Sequence, residues 1–435
     1  MNALAPWRAI VDGAMAEQAQ AAARAIFEAL PDHVPASGAE AEPRSWQYAQ
    51  VALAYAYAAK ALGDATYAKR AEGFLDQAQA ALLDEGDAAI SLYGGVAGVA
   101  LCAADAARNL GTTIALDELD EVIENYVGAE RWAGPYDLVS GLVGLGVYAL
   151  GRLPSSKKTL AAVLRHLAAL AARRAPADGA TRHQGDVASA PGEAHAGRSG
   201  RDEGLLWPVP RGDGGGLRCD LGIAHGAPGV IALAAHCLAA GVEVEQSERL
   251  VRGALQGLHG QRLPASAASA YPYFTGAGIE PTATKPAWCY GDPGVAVALL
   301  AAARALPSAS LEGEAITLAR RAAARDPAES KIFDAGLCHG TLGTAHLLNR
   351  LYQATGDEGL GAGARAWFAR GLATRREGRG VGGYAFYYAP DGKTTQWVDD
   401  PTFLSGAAGV ALALLAFTSD AEPTWDRLLL LSSAP

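Results

Sequence analysis

The chain has 435 residues, and half of them are hydrophobic, so it can bury a large core. Its formal net charge is −10 without a long run of Lys or Arg, which argues against nucleic acid as a partner. No apolar run reaches the roughly 20 residues that span a bilayer, and no secretory signal opens the sequence. We therefore expect a cytoplasmic protein without a transmembrane segment.

Helical pairs follow one another along the sequence. Residues 45–63 and 65–83 are alanine-rich and predict the first pair. After them, a G-x-x-G step repeatedly opens an apolar run. The steps are at 95–98, 141–144, 226–229, 291–294, 340–343 and 406–409. The helix after each step is apolar nearly all round, which predicts burial, whereas the charged segments between predict outer helices.

Seven such pairs predict an all-α fold, a closed α/α toroid of seven inner and seven outer helices in a single domain over 1–435. The glycine loops should then lie together at one end of the ring. Glycine suits these loops because the backbone must turn tightly, often at positive φ, and must approach its neighbours closely.

Two segments interrupt the helical pattern. Residues 175–218 are rich in Gly, Ala, Pro and Arg and predict a long flexible loop insertion. Residues 380–400 alternate aromatic side chains around an Asp-Gly pair, which predicts a β-hairpin.

Reactive side chains precede three of the glycine steps. They are His225, the pair Cys289 and Tyr290, and the pair Cys338 and His339. If the loops meet, Cys289, Cys338 and His339 form a donor set suited to Zn²⁺, with one tetrahedral position left open. The alternative is that these are two buried cysteines and a hydrogen-bonded histidine, and spacing alone does not decide between them.

The motifs WCYGDPG and CHGTLG, with HGAPG upstream, resemble those of the lanthipeptide cyclase family, the LanC-like proteins. The resemblance extends from about residue 45 to residue 417. It implies an α/α barrel and zinc ligands at Cys289, Cys338 and His339. It also implies a reaction in which a Cys thiol of a dehydrated precursor peptide, carrying a leader, adds to dehydroalanine or dehydrobutyrine. A lanthipeptide dehydratase would prepare that substrate and is a candidate partner.

The same resemblance suggests roles for four further residues. His225 matches the family's histidine and is the candidate proton donor, although it could instead cap the following helix. Asp137 matches an aspartate that would orient His225, with an N-cap as its alternative. Tyr290 could donate a hydrogen bond to the enolate. Lys285 stands where members often carry arginine and could stabilise the enolate, but it lacks the planar guanidinium.

The remaining cysteines are expected to be structural. Cys102 and Cys237 fall on apolar inner helices, and Cys219 lies near the ligand loops and could approach the site. An odd number of widely spaced cysteines does not indicate a disulfide framework.

Three other functions stay open at this point. One is a LanC-like enzyme that adds glutathione to dehydrated residues, and another is a non-catalytic scaffold that binds a peptide. A glycosidase would need paired carboxylates at the mouth of the barrel, and the loops offer no convincing pair.

Overall fold

The computed structural model describes residues 6–31, 44–86, 88–174, 204–326, 328–389 and 394–432. Within these ranges the fold is mostly helical with small β-sheets, as the sequence predicts. The α-helices are α1 (Gly13–Ala29), α2 (Arg44–Leu62), α3 (Ala65–Glu85), α4 (Val96–Asn109), α5 (Asp117–Val127), α6 (Leu142–Gly151), α7 (Lys157–Leu170), α8 (Ala227–Ala239), α9 (Val244–His259), α10 (Asp292–Ala305), α11 (Ala309–Ala323), α12 (Thr341–Thr355), α13 (Glu358–Ala373) and α14 (Ala407–Thr418). The strands are β1 (Ala172–Arg174), β2 (Gly204–Leu206), β3 (Pro208–Pro210), β4 (Leu217–Asp220), β5 (Phe274–Thr275), β6 (Phe386–Tyr388) and β7 (Gln396–Val398). A 3-10 helix, Thr424–Leu429, follows α14.

The even-numbered helices contact one another in chain order from α2 to α14, and α14 returns to contact α2. They are buried on nearly all sides, and in α14 every residue from Ala407 to Phe417 is buried. Their sequences explain this, because a helix that is apolar all round is stable only inside a core. None of the helices in the described ranges has the length and apolar character needed to cross a membrane.

The odd-numbered helices from α3 to α13 pack against even-numbered helices, except that α5 packs against α7, and only part of the surface of each is buried. In α9 the buried residues recur every turn, as at Leu250, Ala254 and Leu258, so only one face meets the core. Helix α1, which the sequence analysis did not pair with another helix, packs against α14. The first and last α-helices of the described residues, α1 and α14, are therefore neighbours.

Backbone hydrogen bonds connect the six glycine loops, defined here as 89–95, 135–141, 220–226, 285–291, 334–340 and 400–406. Each loop donates to a carbonyl of the next loop. The bonds run from Tyr93 N to Val139 O (3.0 Å), Leu138 N to Ala224 O (3.0 Å), Ala224 N to Cys289 O (3.4 Å), Trp288 N to Cys338 O (3.0 Å) and Cys338 N to Leu404 O (2.9 Å). The last loop returns to α2, where the side-chain oxygen of Gln50 accepts from Phe403 N (2.8 Å). The loops thus meet at one end of the helices, as predicted.

The second glycine of each G-x-x-G step is required because the backbone six residues earlier lies against it. A Cβ on Gly229 would be 2.5 Å from the carbonyl oxygen of Ile223, and at the other five steps it would be as close or closer. This approach lets loop carbonyls accept from N–H groups of the first helical turn, as Tyr136 does from Val143 (3.0 Å). The other reason offered, positive φ, applies to Gly94 in the first glycine loop (φ +72°) but not to the step glycines, none of which lies in the left-handed region.

The strands lie in the two segments that interrupt the helices. Strand β6 pairs antiparallel with β7, which confirms the hairpin within 380–400. Of the loop predicted at 175–218, residues 175–203 lie outside the described residues. Residues 204–218 differ from that prediction, since they include β2, β3 and the start of β4, and β4 pairs with β3 and β5. Burial of Leu206 and Trp207 explains why this part of the segment is held in place.

Gly229→Ala should destabilise the protein by about 1–3 kcal/mol, because the added Cβ must displace backbone rather than a flexible side chain. Gly73→Ala in α3 is the control, since nothing lies within 4 Å of a Cβ there. That change should stabilise the helix by about 0.5–1 kcal/mol. Urea titration measures both free energies of unfolding, and equal values would contradict the close-approach explanation.

Candidate active site

Two cysteines and a histidine from adjacent glycine loops come together where the loops meet. The Sγ atoms of Cys289 and Cys338 and a ring nitrogen of His339 all lie within 4.8 Å of one another. Among the described residues, this is the one group of three or more such donors that could hold a metal ion. The bond from Trp288 N to Cys338 O fixes the two loops at this point. Both cysteines are free thiols, and all three side chains are partly exposed.

This donor set fits a zinc ion. With Zn–S bonds of about 2.3 Å in a tetrahedral site, ligand atoms lie roughly 3.8 Å apart, which the observed spread accommodates. Three protein donors leave a fourth position for another ligand, as catalytic zinc sites do. The group is therefore a candidate metal site of the catalytic kind.

A hydrogen bond between the two cysteines favours one thiolate at this site. The hydrogen bond from Cys338, with a further contribution from His339, holds the pKa of Cys289 well below its ordinary value despite partial burial. The pKa of Cys338 is raised, first because it donates this hydrogen bond and second because it is partly removed from solvent. The thiolate is the form of cysteine that binds metals, so the pair is electrostatically prepared to hold a cation.

His225 is paired with Asp137 across two glycine loops. The distance from His225 Nδ1 to Asp137 Oδ2 is 2.6 Å, and the His225 carbonyl accepts from the Tyr136 hydroxyl (2.8 Å). Burial alone would lower the pKa of His225, but the bond to Asp137 and nearby negative charges outweigh it, so the pKa is raised. Neither residue is the N-cap of the next α-helix, since Gly141 and Gly226 hold those positions, but Asp137 Oδ1 also accepts from Ser140 N (2.8 Å) and so caps the turn before α6.

Tyr290 is hydrogen-bonded to Asp220, a residue that the sequence motifs do not indicate. Its hydroxyl donates to Asp220 Oδ1 (2.6 Å), and Arg218 Nε lies 3.3 Å from the other carboxylate oxygen. The Tyr290 ring stacks on His225 with centroids 5.8 Å apart. Burial and the Asp220 carboxylate raise the pKa of Tyr290. In this arrangement Tyr290 supports the His225 ring, and its proton is directed at Asp220 rather than at a substrate enolate.

Lys285 lies at the edge of the site beside an aromatic surface. Its Nζ is 5.9 Å from the ring centre of Phe333, and its charge partly offsets the raised pKa of Cys338. Phe333 contacts Tyr387, which contacts Trp397, each pair with centroids 5.3 Å apart. Phe333 is 57% exposed and Trp397 is 46% exposed, so this aromatic surface faces solvent.

The other cysteines do not join the donor group. Cys102 and Cys237 are fully buried in α4 and α8, as expected for core residues. Burial raises the pKa of Cys237 to about 12, which keeps it a neutral thiol. Cys219 lies in β4 outside the cluster of Cys289, Cys338 and His339.

The fold and the site are those of a mostly helical protein. Loops at one end of its helices carry a candidate metal site with two cysteine donors and one histidine donor. The family model described as lanthionine synthetase C-like protein matches residues 48–430. The chain belongs to this family, which confirms the resemblance found in its motifs.

Solved structures give a further comparison of the fold. Nisin cyclase is similar with a TM-score of 0.65 and 17% identity, over 96% of each chain. An inactive variant of alpha-1,6-mannanase from a Salegentibacter species, in complex with alpha-1,6-mannotriose, has a TM-score of 0.43 and 10% identity over 96% of this chain and 99% of its own. That second likeness is too weak to bear on function. No curated protein matches the sequence.

Cys338→Ala should weaken binding of Co²⁺, a spectroscopic substitute for zinc, by more than about 100-fold, because it removes a metal donor directly. Cys237→Ala is the control, since that thiol is buried in α8 apart from the donor group. The thiolate-to-cobalt absorbance during titration measures both affinities. Equal affinities for the two variants would show that Cys338 does not bind the metal.

Proposed function

We propose that this protein is a zinc-dependent lanthipeptide cyclase that forms thioether rings in a dehydrated precursor peptide. The observation that supports this most directly is the joint placement of the Cys289, Cys338 and His339 donors with the His225–Asp137 pair. Family membership agrees with it. The substrate would be a leader-bearing peptide supplied by a lanthipeptide dehydratase, and the reaction would take place in the cytoplasm.

We also infer that the circuit of even-numbered helices is the inner ring of an α/α toroid. Contacts that pass from α2 to α14 and back to α2 support a closed ring. The glycine-loop bonds support the same conclusion, because they too return to α2 through Gln50. One end of such a ring would present the site to a peptide.

The chain's own residues provide what the addition needs. Zinc at this site would supply a Lewis acid that lowers the pKa of a substrate thiol. The substrate sulfur bonds to the β-carbon of the dehydrated residue, and the electron pair of the double bond moves towards the α-carbon and its carbonyl. His225, held at Nδ1 by Asp137, has Nε2 available to protonate the α-carbon. The thiol loses one proton and the α-carbon gains one, so the peptide's mass does not change.

The surface beside the site is suited to an extended peptide. Phe333, Tyr387 and Trp397 offer consecutive aromatic faces that begin next to Lys285. Arg379 lies over Trp397 at 4.3 Å from the ring centre and ends the series with a second cation. Aromatic side chains bind apolar peptide segments at low entropic cost, which supports a peptide substrate here.

Two of the alternative functions, the scaffold and the glycosidase, leave part of the observed site without a use. The third, glutathione addition, would use the same site, so geometry does not separate it from cyclisation. Addition of glutathione to dehydrated residues would need the same donors and the same acid, so products must separate the two. A scaffold that only binds peptide would not need three metal donors with an open position. A glycosidase is disfavoured because Asp137 is committed to His225.

The test is to incubate the zinc-loaded protein with a dehydrated, cysteine-containing peptide, with and without glutathione. Cyclisation predicts loss of free thiols, counted by alkylation, at unchanged peptide mass, and no loss with Cys338→Ala. Glutathione addition instead increases the peptide mass by one glutathione. Absence of both products, or full activity of Cys289→Ala, would overturn the proposal.

The rate should fall as pH rises through the raised pKa of His225, because a general acid acts in its protonated form. Asp137→Asn removes the bond and the charge that raise this pKa. The falling limb should therefore move to lower pH by about 1–3 units. Asp220→Asn removes only a more distant charge and should move the limb less. Single-turnover rates against pH measure both, and an unmoved limb in Asp137→Asn would contradict the assignment of His225.

A further inference from the structure

The segment after α14, residues 421–432, contacts several even-numbered helices and is buried at its centre. Its partners are on α2, α4 and α12 and in the glycine loops. The buried residues are Trp425, Asp426, Arg427, Leu428, Leu429 and Leu430. We call residues 421–432 the C-terminal segment.

Charged side chains attach this segment to α4 and α12, away from the glycine loops. Asp426 accepts from His346 Nε2 (2.8 Å) and also binds Arg350 on α12. Arg427 donates to Asp105 on α4 (2.6 Å). Asp105 and Arg350 each lie nine residues after the start of their helix, which places them about 14 Å from the loop end. Removing one partner of such a buried pair is strongly unfavourable, because the other charge is left uncompensated.

The next two residues of the segment are hydrogen-bonded to two aromatic side chains of the glycine loops. The Tyr93 hydroxyl donates to Leu428 O (2.8 Å), and the Trp288 indole N–H donates to Leu429 O (2.9 Å). The two rings also contact each other, with centroids 6.2 Å apart. Leu430 follows at φ +56°, a conformation that is unfavourable for leucine and persists only where its surroundings impose it.

Trp288 connects this segment to the candidate metal donors. It immediately precedes Cys289, and its backbone N–H binds Cys338 O (3.0 Å). Trp288 therefore connects three parts of the structure. It is covalently joined to Cys289, its backbone N–H binds the loop of Cys338, and its indole N–H binds the carbonyl of Leu429. Metal affinity depends on such supporting bonds, because ligand atoms must be held within a few tenths of an ångström.

We propose that Trp288 is a positioning residue, and that its bond to Leu429 makes the C-terminal segment the internal support of the metal donors. The inference rests on the proposed metal centre. Trp288 touches neither substrate nor metal in this role, and it acts by fixing the backbone between Cys289 and Cys338.

The test compares Trp288→Phe with Trp367→Phe. Both tryptophans are buried, and both donate an indole N–H to a carbonyl, Trp367 to Ala323 O on α11 (3.1 Å). Both variants lose one hydrogen bond and some packing, but only the first is linked to the donors. Co²⁺ affinity is measured by titration, zinc release is timed with a chromogenic chelator, and the thermal midpoint of each zinc-free protein is recorded.

We expect Trp288→Phe to weaken Co²⁺ binding by about 10–100-fold and to speed zinc release to match. Trp367→Phe should change both less than about twofold at a similar loss of thermal stability. Tyr93→Phe removes only a hydroxyl bonded to the neighbouring carbonyl, so it should fold and should weaken Co²⁺ binding in the same direction. This second variant keeps the test decisive if Trp288→Phe is poorly folded.

Equal metal affinities for Trp288→Phe and Trp367→Phe, or no effect of Tyr93→Phe, would overturn the inference. A wild-type protein that binds no metal would overturn it together with the proposed function. Metal binding that responds as expected, without a cyclised peptide, would leave the positioning role standing and remove only the proposed reaction.

Discussion

The site depends on the backbone hydrogen bonds that pass from one glycine loop to the next. These bonds need no particular side chain, but they need each loop to lie against the helix that follows it. A Cβ at a position such as Gly229 would prevent that approach. The bond from Trp288 to Cys338 belongs to the same series and brings two metal donors together. Glycine at the start of each helix thus allows the loops to meet, and the meeting of the loops brings the reactive side chains together.

Around this framework the proposed chemistry is divided between two pairs of side chains. Cys338 stabilises a thiolate on Cys289, which suits a cation, and Asp137 stabilises a proton on His225, which suits an acid. Opposite charges are therefore favoured in adjacent loops of one site. Tyr290 links the two pairs, since it directly follows Cys289 in the chain and its ring stacks on His225. Held by Asp220, it keeps the two parts in a fixed relation.

Local patterns predicted much of this architecture, and long-range contacts account for what they missed. The alternation of apolar and half-charged helices gave the helical fold, and the cysteine motifs gave the donor group. Asp220 belongs to no motif, and only the fold brings it to Tyr290. Residues 204–218 were predicted to form a loop, because β2 pairs with β1 on the far side of the 175–203 segment and no local pattern indicates that pairing. The C-terminal segment was not recognised as buried, since its charged residues pair with distant helices, Asp426 with His346 80 positions away and Arg427 with Asp105 322 positions away.

The return of α14 to α2 has a consequence for how the chain reaches its native state. Gln50 and Phe403, which bond across this junction, are 353 positions apart in the sequence. Neighbouring helical hairpins can form early from local contacts, whereas closing so long a span costs more chain entropy and is slower. Cys338 itself bonds to the loop that makes this junction. Complete support of the donor group therefore requires a contact between segments 353 positions apart, which we expect to form after the neighbouring helical hairpins.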